Sequence, residues 1–253
     1  LRRPTIAAGT TSGYLFSWGD NSPDGELGLG DATDRSNPAQ VGTLNTWATL
    51  VGGYHASFGI KSDGTLWSWG RGTTGQTGHS NTTNYSSPVQ VGDLTTWSSV
   101  SNGVFATHAI STDGKLWAWG DGANGELGMN NTTDYSSPVQ VGLLTDWSVV
   151  HKGHAHALAI KTDGTLWGWG VNTSGQLGDG TAVTRSSPVQ IGALTTWSNA
   201  RCGSGHSLAI KTDGTIWSWG HGTYGKQGHE DTTTRSSPVQ IGALTTWASI
   251  STW

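Results

Sequence analysis

Apolar and polar positions along the chain repeat with a period of about fifty residues, and inside each period they alternate on the two-residue scale of a strand. From Leu208 to Trp219 an apolar run, a polar Thr212-Asp213-Gly214-Thr215 break and a second apolar run predict a β-hairpin. Asp-Gly recurs at Asp63-Gly64, Asp113-Gly114 and Asp163-Gly164, and a two-residue turn with positive φ at both positions is expected. In Leu166-Trp167-Gly168-Trp169, alternation places both tryptophans on one face and Gly168 on the other. Ser68, Ala118, Gly168 and Ser218 form that bare column, which suits a sheet pressed against its neighbour. Further strands around Val189-Gln190-Ile191 and around Trp197 bring each unit to about four, the content of a propeller blade.

The period is carried most plainly by tryptophan. Trp47, Trp97, Trp147, Trp197 and Trp247 mark one column, and Trp18, Trp69, Trp119, Trp169 and Trp219 a second, each of the latter followed by Gly. Repetition in every unit is what a shared core demands, so both columns, and Trp167 beside them, are read as core. One spacing is longer by a residue because of Asp20-Asn21-Ser22-Pro23-Asp24-Gly25, an insertion placed in a turn. No stretch has the three-and-four spacing of a helical solenoid, and neither end departs from the unit as a solenoid cap would. The expected fold is therefore all-β, a β-propeller of five four-stranded blades forming one domain over residues 1–253. Leu1 aligns with Cys202 and Trp253 with Gly203, so closure is expected by strand pairing where Trp247 to Trp253 meet Leu1 to Ala8.

Composition narrows the chemistry. The 39 Gly and 15 Trp beside 13 Lys plus Arg agree with short strands and many turns. A net charge of -4 with no run of basic residues argues against nucleic acid as a partner. Cys202 stands alone, so no intrachain disulfide and no thiolate pair for a metal can form. No apolar run reaches the length of a membrane span. The start, Leu1-Arg2-Arg3-Pro4, lacks an initiator Met and a signal-peptide core, and the chain is expected to be trimmed or processed.

Gly203-Ser204-Gly205-His206-Ser207-Leu208-Ala209-Ile210, continuing through Asp213-Gly214 to Trp217-Ser218-Trp219-Gly220, resembles the regulator of chromosome condensation repeat family. Gly175-Gln176-Leu177-Gly178 and Ser187-Pro188-Val189-Gln190 do so as well. The resemblance covers essentially the whole chain and implies a propeller, for which seven blades are the family's familiar number against five units here: either five blades close, which the matched ends favour, or the units are part of a larger ring. The family includes a nucleotide exchange factor for the small GTPase Ran. That activity uses a protruding wedge and basic contacts, which these uniform, acidic units lack. The regular Ser/Thr-rich units are similar to repeats of bacterial and phage-encoded proteins, which implies a setting on a cell surface or virion.

No phosphate loop, nucleophile elbow or Cys-His pair occurs, so no catalytic residue and no cofactor are expected. His151, His154 and His156 form the one dense histidine cluster, but no carboxylate lies beside them in sequence and no metal site is assigned. The family resemblance implies a structural hydrogen bond for His156, which aligns with His206, while Ala56 and Ala106 occupy the same column. Asp63, Asp113, Asp163 and Asp213 are read as turn residues, and Gln40, Gln90, Gln140, Gln190 and Gln240 as structural. Asn81, Asn84, Asn130, Asn131 and Asn172 fit the glycosylation pattern, which a Thr-rich chain generates by chance. Function is expected where units differ. One such column follows Trp-Gly: Asp20, Arg71, Asp121, Val171 and His221. The other reads Arg35, Tyr85, Tyr135, Arg185 and Arg235. Arg35, Tyr85, Tyr135, Arg185, Arg235, Arg71, Asp121 and His221 are the candidate binding residues of a non-enzymatic interaction or scaffold module, with a protein partner first and a glycan as the alternative. An exchange factor ranks below both.

Overall fold

The Asp-Gly stretches do form hairpins, with a turn one residue longer than expected. Gly64 N donates to Lys61 O at 2.9 Å and Lys61 N to Thr65 O at 3.0 Å, and Gly64 alone of the pair has positive φ, at 78°. This is a type I turn closed by a left-handed glycine, the three-residue hairpin loop. Asp63 takes another role: its Oδ1 accepts from Thr65 N and Oγ1 at 3.0 and 2.6 Å, while Thr65 Oγ1 accepts from Trp67 Nε1 at 2.8 Å. These bonds hold the Asp63 carboxyl below its ordinary range. In the third repeat Lys115 replaces the threonine, and Ser111 Oγ bonds both Asp113 and Trp117 instead.

The computed structural model describes the backbone of residues 5–7 and the whole of residues 13–252. Its strands form five antiparallel sheets. The first contains β1 (Thr5–Ala7), β2 (Phe16–Gly19) and β3 (Arg35–Gln40). The second contains β4 (Trp47–Gly52), β5 (Ala56–Lys61), β6 (Leu66–Gly70) and β7 (Tyr85–Gln90). The third runs β8 (Trp97–Asn102), β9 (Ala106–Ser111), β10 (Leu116–Gly120) and β11 (Tyr135–Gln140). The fourth runs β12 (Trp147–Lys152), β13 (His156–Lys161), β14 (Leu166–Gly170) and β15 (Arg185–Gln190). The fifth runs β16 (Trp197–Cys202), β17 (His206–Lys211), β18 (Ile216–Gly220) and β19 (Arg235–Gln240). Four sheets thus have four strands, and the first has three among the described residues. Of the expected seam between Trp247 to Trp253 and Leu1 to Ala8, residues 1–4, 8 and 253 lie outside the described residues; residues 247–252 form no strand.

The chain divides into two compact units. One is Leu1–Asp113, Trp117–Asp121 and Asp134–Gln140; the other is Gly114–Leu116, Gly122–Thr133 and Val141–Trp253. Inside each, one device recurs. In the first unit, Glu26 O accepts from Trp69 Nε1 and Ser57 Oγ, both at 2.8 Å, and Gln76 O accepts from Trp119 Nε1 at 2.8 Å and Thr107 Oγ1 at 3.0 Å. In the second, Glu126 O accepts from Trp169 Nε1 at 3.1 Å, and Gln176 O from Trp219 Nε1 at 2.9 Å and Ser207 Oγ at 2.7 Å. A loop carbonyl of one repeat is thereby satisfied by the next, a pairing that a buried carbonyl requires.

Trp69, Trp119, Trp169 and Trp219 are fully buried, and Trp47, Trp97, Trp147 and Trp197 lie edge-on to them with centroids 5.9–6.3 Å apart. Each such burial contributes about 4–6 kcal/mol, from roughly 150–250 Å² at about 25 cal/mol/Å². Three tryptophans depart from the core expectation. Trp18 and Trp167 are half-buried, and Trp247 is 41% exposed against 3% for Trp197. Trp167 lies at the sheet surface under Lys161, whose Nζ is 4.5 Å from the ring centroid. The bare column is filled from within its own repeat: Ser68 Oγ donates to Thr77 O at 2.6 Å, and a Cβ on Gly168 would meet Ile191 and Leu158 at 3.1 Å.

Candidate binding surface

The glycine after each Trp-Gly tryptophan explains where the variable residues gather. Gly70 has φ +97°, and a Cβ there would sit 2.5 Å from His55 O, so this position admits no larger side chain. The strand end is thereby held against the β4–β5 turn, with Arg71 N donating to His55 O at 2.8 Å. Asp121 N to Phe105 O (2.9 Å) and His221 N to Gly205 O (2.8 Å) repeat the arrangement. Gly70 also pairs with Tyr85, Gly120 with Tyr135, Gly170 with Arg185 and Gly220 with Arg235. Both variable columns therefore occupy the same end of their sheets, one over the middle strands and one at the fourth-strand edge.

At that edge the planar side chains fold back onto their own loops. Arg35 Nη2 meets Asp31 Oδ2 at 2.7 Å, Arg185 Nη2 meets Asp179 Oδ2 at 2.9 Å, and Arg235 Nη2 meets Asp231 Oδ2 at 2.8 Å. The Arg235 hydrogen bonds pull the Asp231 carboxyl down to about 2. Tyr85 lies edge-on to His79, centroids 4.6 Å apart, and its hydroxyl accepts from Asn81 Nδ2 at 2.9 Å. Tyr135 packs against the core of the first unit.

Over the middle strands of the first unit stand half-exposed Tyr54, His55, Arg71, Phe105 and Asp121. Tyr54 meets the His55 ring edge-on at 4.7 Å, and His55 stacks with Phe105 at 6.4 Å. Arg71 Nε lies 2.8 Å from Asp24 Oδ2, and Asp24 Oδ1 accepts from Asn84 Nδ2 at 2.8 Å. Burial raises the Glu26 carboxyl above its ordinary value, and burial next to Arg71 lowers His55. The sequence pattern did not single out Tyr54, His55 or Phe105. Their signal was the adjacent columns Tyr54, Val104, His154, Ser204 and His55, Phe105, Ala155, Gly205, which vary as much as the one after Trp-Gly.

In the second unit, exposed His154 and half-exposed His221 hold the same end. Buried Lys152 donates to Gly153 O and His154 O at 3.3 and 3.1 Å and lies 4.0 Å from Glu126 Oε1. The three clustered histidines do not converge. His156 Nε2 bonds Ser207 Oγ at 2.9 Å, and burial keeps its pKa well below the ordinary value. His151 Nδ1 accepts from Cys202 N at 3.0 Å. The Cys202 thiol is pushed up to about 12 by burial. Gln40, Gln90 and Gln240 each donate to the glycine carbonyl two residues on. No helix of the described residues is long and apolar enough to cross a membrane.

Sheets of up to four antiparallel strands, tied repeat to repeat by a buried indole and presenting their differences at one end, define an all-β repeat protein consistent with a five-blade propeller. Residues 63–110, 113–160 and 163–210 match the regulator of chromosome condensation (RCC1) repeat, and residues 200–226 match a second description of it. The chain belongs to the regulator of chromosome condensation (RCC1) repeat family. Among solved structures it is similar to human WBSCR16 (TM-score 0.84, 22% identity, covering 96% of this chain and 65% of that one). It is also similar to Prp20p from Saccharomyces cerevisiae (TM-score 0.81, 20% identity, 94% and 63%), described with its binding properties to Gsp1p and histones. The chain thus spans less than two thirds of either structure, and at these identities the likeness is one of fold.

Proposed function

We propose that this chain is a non-enzymatic protein-binding module whose five sheets close into one propeller domain, and that its partner docks on the end carrying the variable residues. One observation supports this most: residues that recur in every repeat are spent on packing, whereas those that differ collect half-exposed at one end of their sheets. Of the eight candidate residues, Arg71, Asp121 and His221 lie over the middle strands of their own sheets, Arg71 and Asp121 in the unit that also presents Tyr54, His55 and Phe105. Exposed aromatic and arginine side chains are those enriched at protein interfaces. Arg35, Arg185 and Arg235 are engaged by their own aspartates and, with Tyr85 and Tyr135, lie at the edge strand of their own sheets. Binding of Gsp1p and histones by Prp20p makes these natural first probes. Membership of a cell-surface or virion assembly is part of the same proposal, resting on the regularity of the repeats.

The test immobilises the whole chain against Gsp1p, histones, a displayed random-peptide library and a glycan array. The reading expects saturable protein or peptide binding that Phe105→Ala weakens about tenfold while the melting temperature holds. Saturable sugar binding without peptide binding would make the module lectin-like, and accelerated nucleotide release from a small GTPase would make it an exchange factor. Either result overturns the proposal.

A further inference from the structure

Within the first unit, one buried carboxylate lacks the cation that its counterpart in the second unit possesses. Glu26 and Glu126 occupy the same column, in Gly-Glu-Leu-Gly after the Trp-Gly strand. Glu126 has buried Lys152 nearby, at 4.0 Å. The column that supplies Lys152 supplies Gly52 to the first unit, which brings no charge. Where the column holds glutamine, a neutral amide suffices: Gln76 Oε1 accepts from Thr74 N and Gln176 Oε1 from Ser174 N, both at 2.9 Å. Glu26 is 7% exposed, and its Oε2 is buried with no hydrogen-bond partner. An ionised carboxylate so placed requires a counter-charge or a proton.

Two further ligand types meet it there. His55 stands where other repeats have Phe105, Ala155 and Gly205, and Asp24 belongs to the turn that contains the extra residue of the first repeat. One ligand atom from each of Asp24, Glu26 and His55 lies within 4.8 Å of the others. Insertion, glutamate and histidine thus coincide at one junction. We propose that Asp24, Glu26 and His55 form a divalent-cation site, for which Zn²⁺ is the best-fitting ion. Zinc takes imidazole nitrogen and carboxylate oxygen at about 2.0–2.2 Å, which sets tetrahedral ligand atoms roughly 3.4 Å apart, so side-chain rotations that bring the three atoms up to about 1.4 Å closer together close the set, with a fourth position for water. Arg71 and Asn84 are the positioning residues: both hold Asp24, as hydrogen-bonded groups behind a ligating carboxylate do. Arg71 balances one of the two carboxylates and leaves the second for the ion.

The test is calorimetric titration of the chelator-treated whole chain with ZnCl₂ near pH 7.5, paired with thermal melts and with Co²⁺ absorption as a direct coordination signal. The expected result is one ion per chain, a melting temperature raised by the metal, and a Co²⁺ ligand-field band. Glu26→Gln and His55→Ala should each weaken binding at least tenfold. Absence of saturable binding and of the Co²⁺ band in the unaltered chain would overturn the proposal whatever the variants do. So would equally tight binding in both variants, which would place the ion on other histidines.

Discussion

The chain contains one sequence twice and folds it differently. Residues 185–197 and 235–247 are both Arg-Ser-Ser-Pro-Val-Gln-Ile-Gly-Ala-Leu-Thr-Thr-Trp. In the first copy Ile191 is 2% and Trp197 3% exposed, and Trp197 begins β16, edge-on to Trp217 and Trp219 at 5.9 and 6.3 Å. In the second, Ile241 is half-buried, Trp247 is 41% exposed and residues 247–252 form no strand. Local sequence cannot account for a difference between identical segments. What differs is the neighbourhood: β18 sets the rings of Trp217 and Trp219 against Trp197, whereas Trp247 stands 41% exposed. Strand formation here is a property of the enclosed repeat, as expected when β preference reflects packing more than backbone bias.

That contrast can be broken at its enclosed side first. Trp219→Ala removes the ring on which Trp197 rests and is expected to cost about 3–5 kcal/mol in urea denaturation. Trp219→Phe keeps most of the ring but leaves Gln176 O without its indole donor, and a loss of about 1–2 kcal/mol is expected. His156→Ala places at this position the residue already present at Ala56 and Ala106. Burial holds His156 neutral in the fold, while the unfolded chain takes up a proton as pH falls through about 6.5. Its contribution is therefore complete above that pH and lost below it. Between pH 6.5 and 5.5 the unaltered chain should lose roughly 1 kcal/mol more than His156→Ala. The twin segments are sharpened by Ile191→Val, expected to cost about 1 kcal/mol, against Ile241→Val at under about 0.5 kcal/mol. Smallest of all, the Cys202 thiol, buried and raised to about 12, should react with a thiol reagent only on unfolding.

Much of the fold was legible because period and turn chemistry agreed. The tryptophan columns and the Asp-Gly breaks place the hairpins, and Gly168 opposite Trp167 and Trp169 sets strand phase. What periodicity could not carry was the neighbourhood of each copy. It read Trp247 and Trp167 as equivalents of Trp197 and Trp169, though one stands 41% exposed and the other lies at the sheet surface under Lys161. It also read the Asp-Gly turn as two residues, since the Asp63 to Thr65 to Trp67 bonds that fix a longer loop involve side chains. The binding surface was half legible. Variation after Trp-Gly marked Arg71, Asp121 and His221, but the meeting of Asp24, Glu26 and His55 joins positions up to about thirty residues apart, in two repeats. The extra residue of the first turn hinted at it, yet a one-residue insertion states no chemistry by itself.

The central claim is that a recurring residue is core only where neighbouring strands bury it, and urea denaturation of Trp197→Ala beside Trp247→Ala tests it most directly. The account predicts a loss of about 3–5 kcal/mol for the first and under about 1 kcal/mol for the second. Equal losses at the two positions would contradict it.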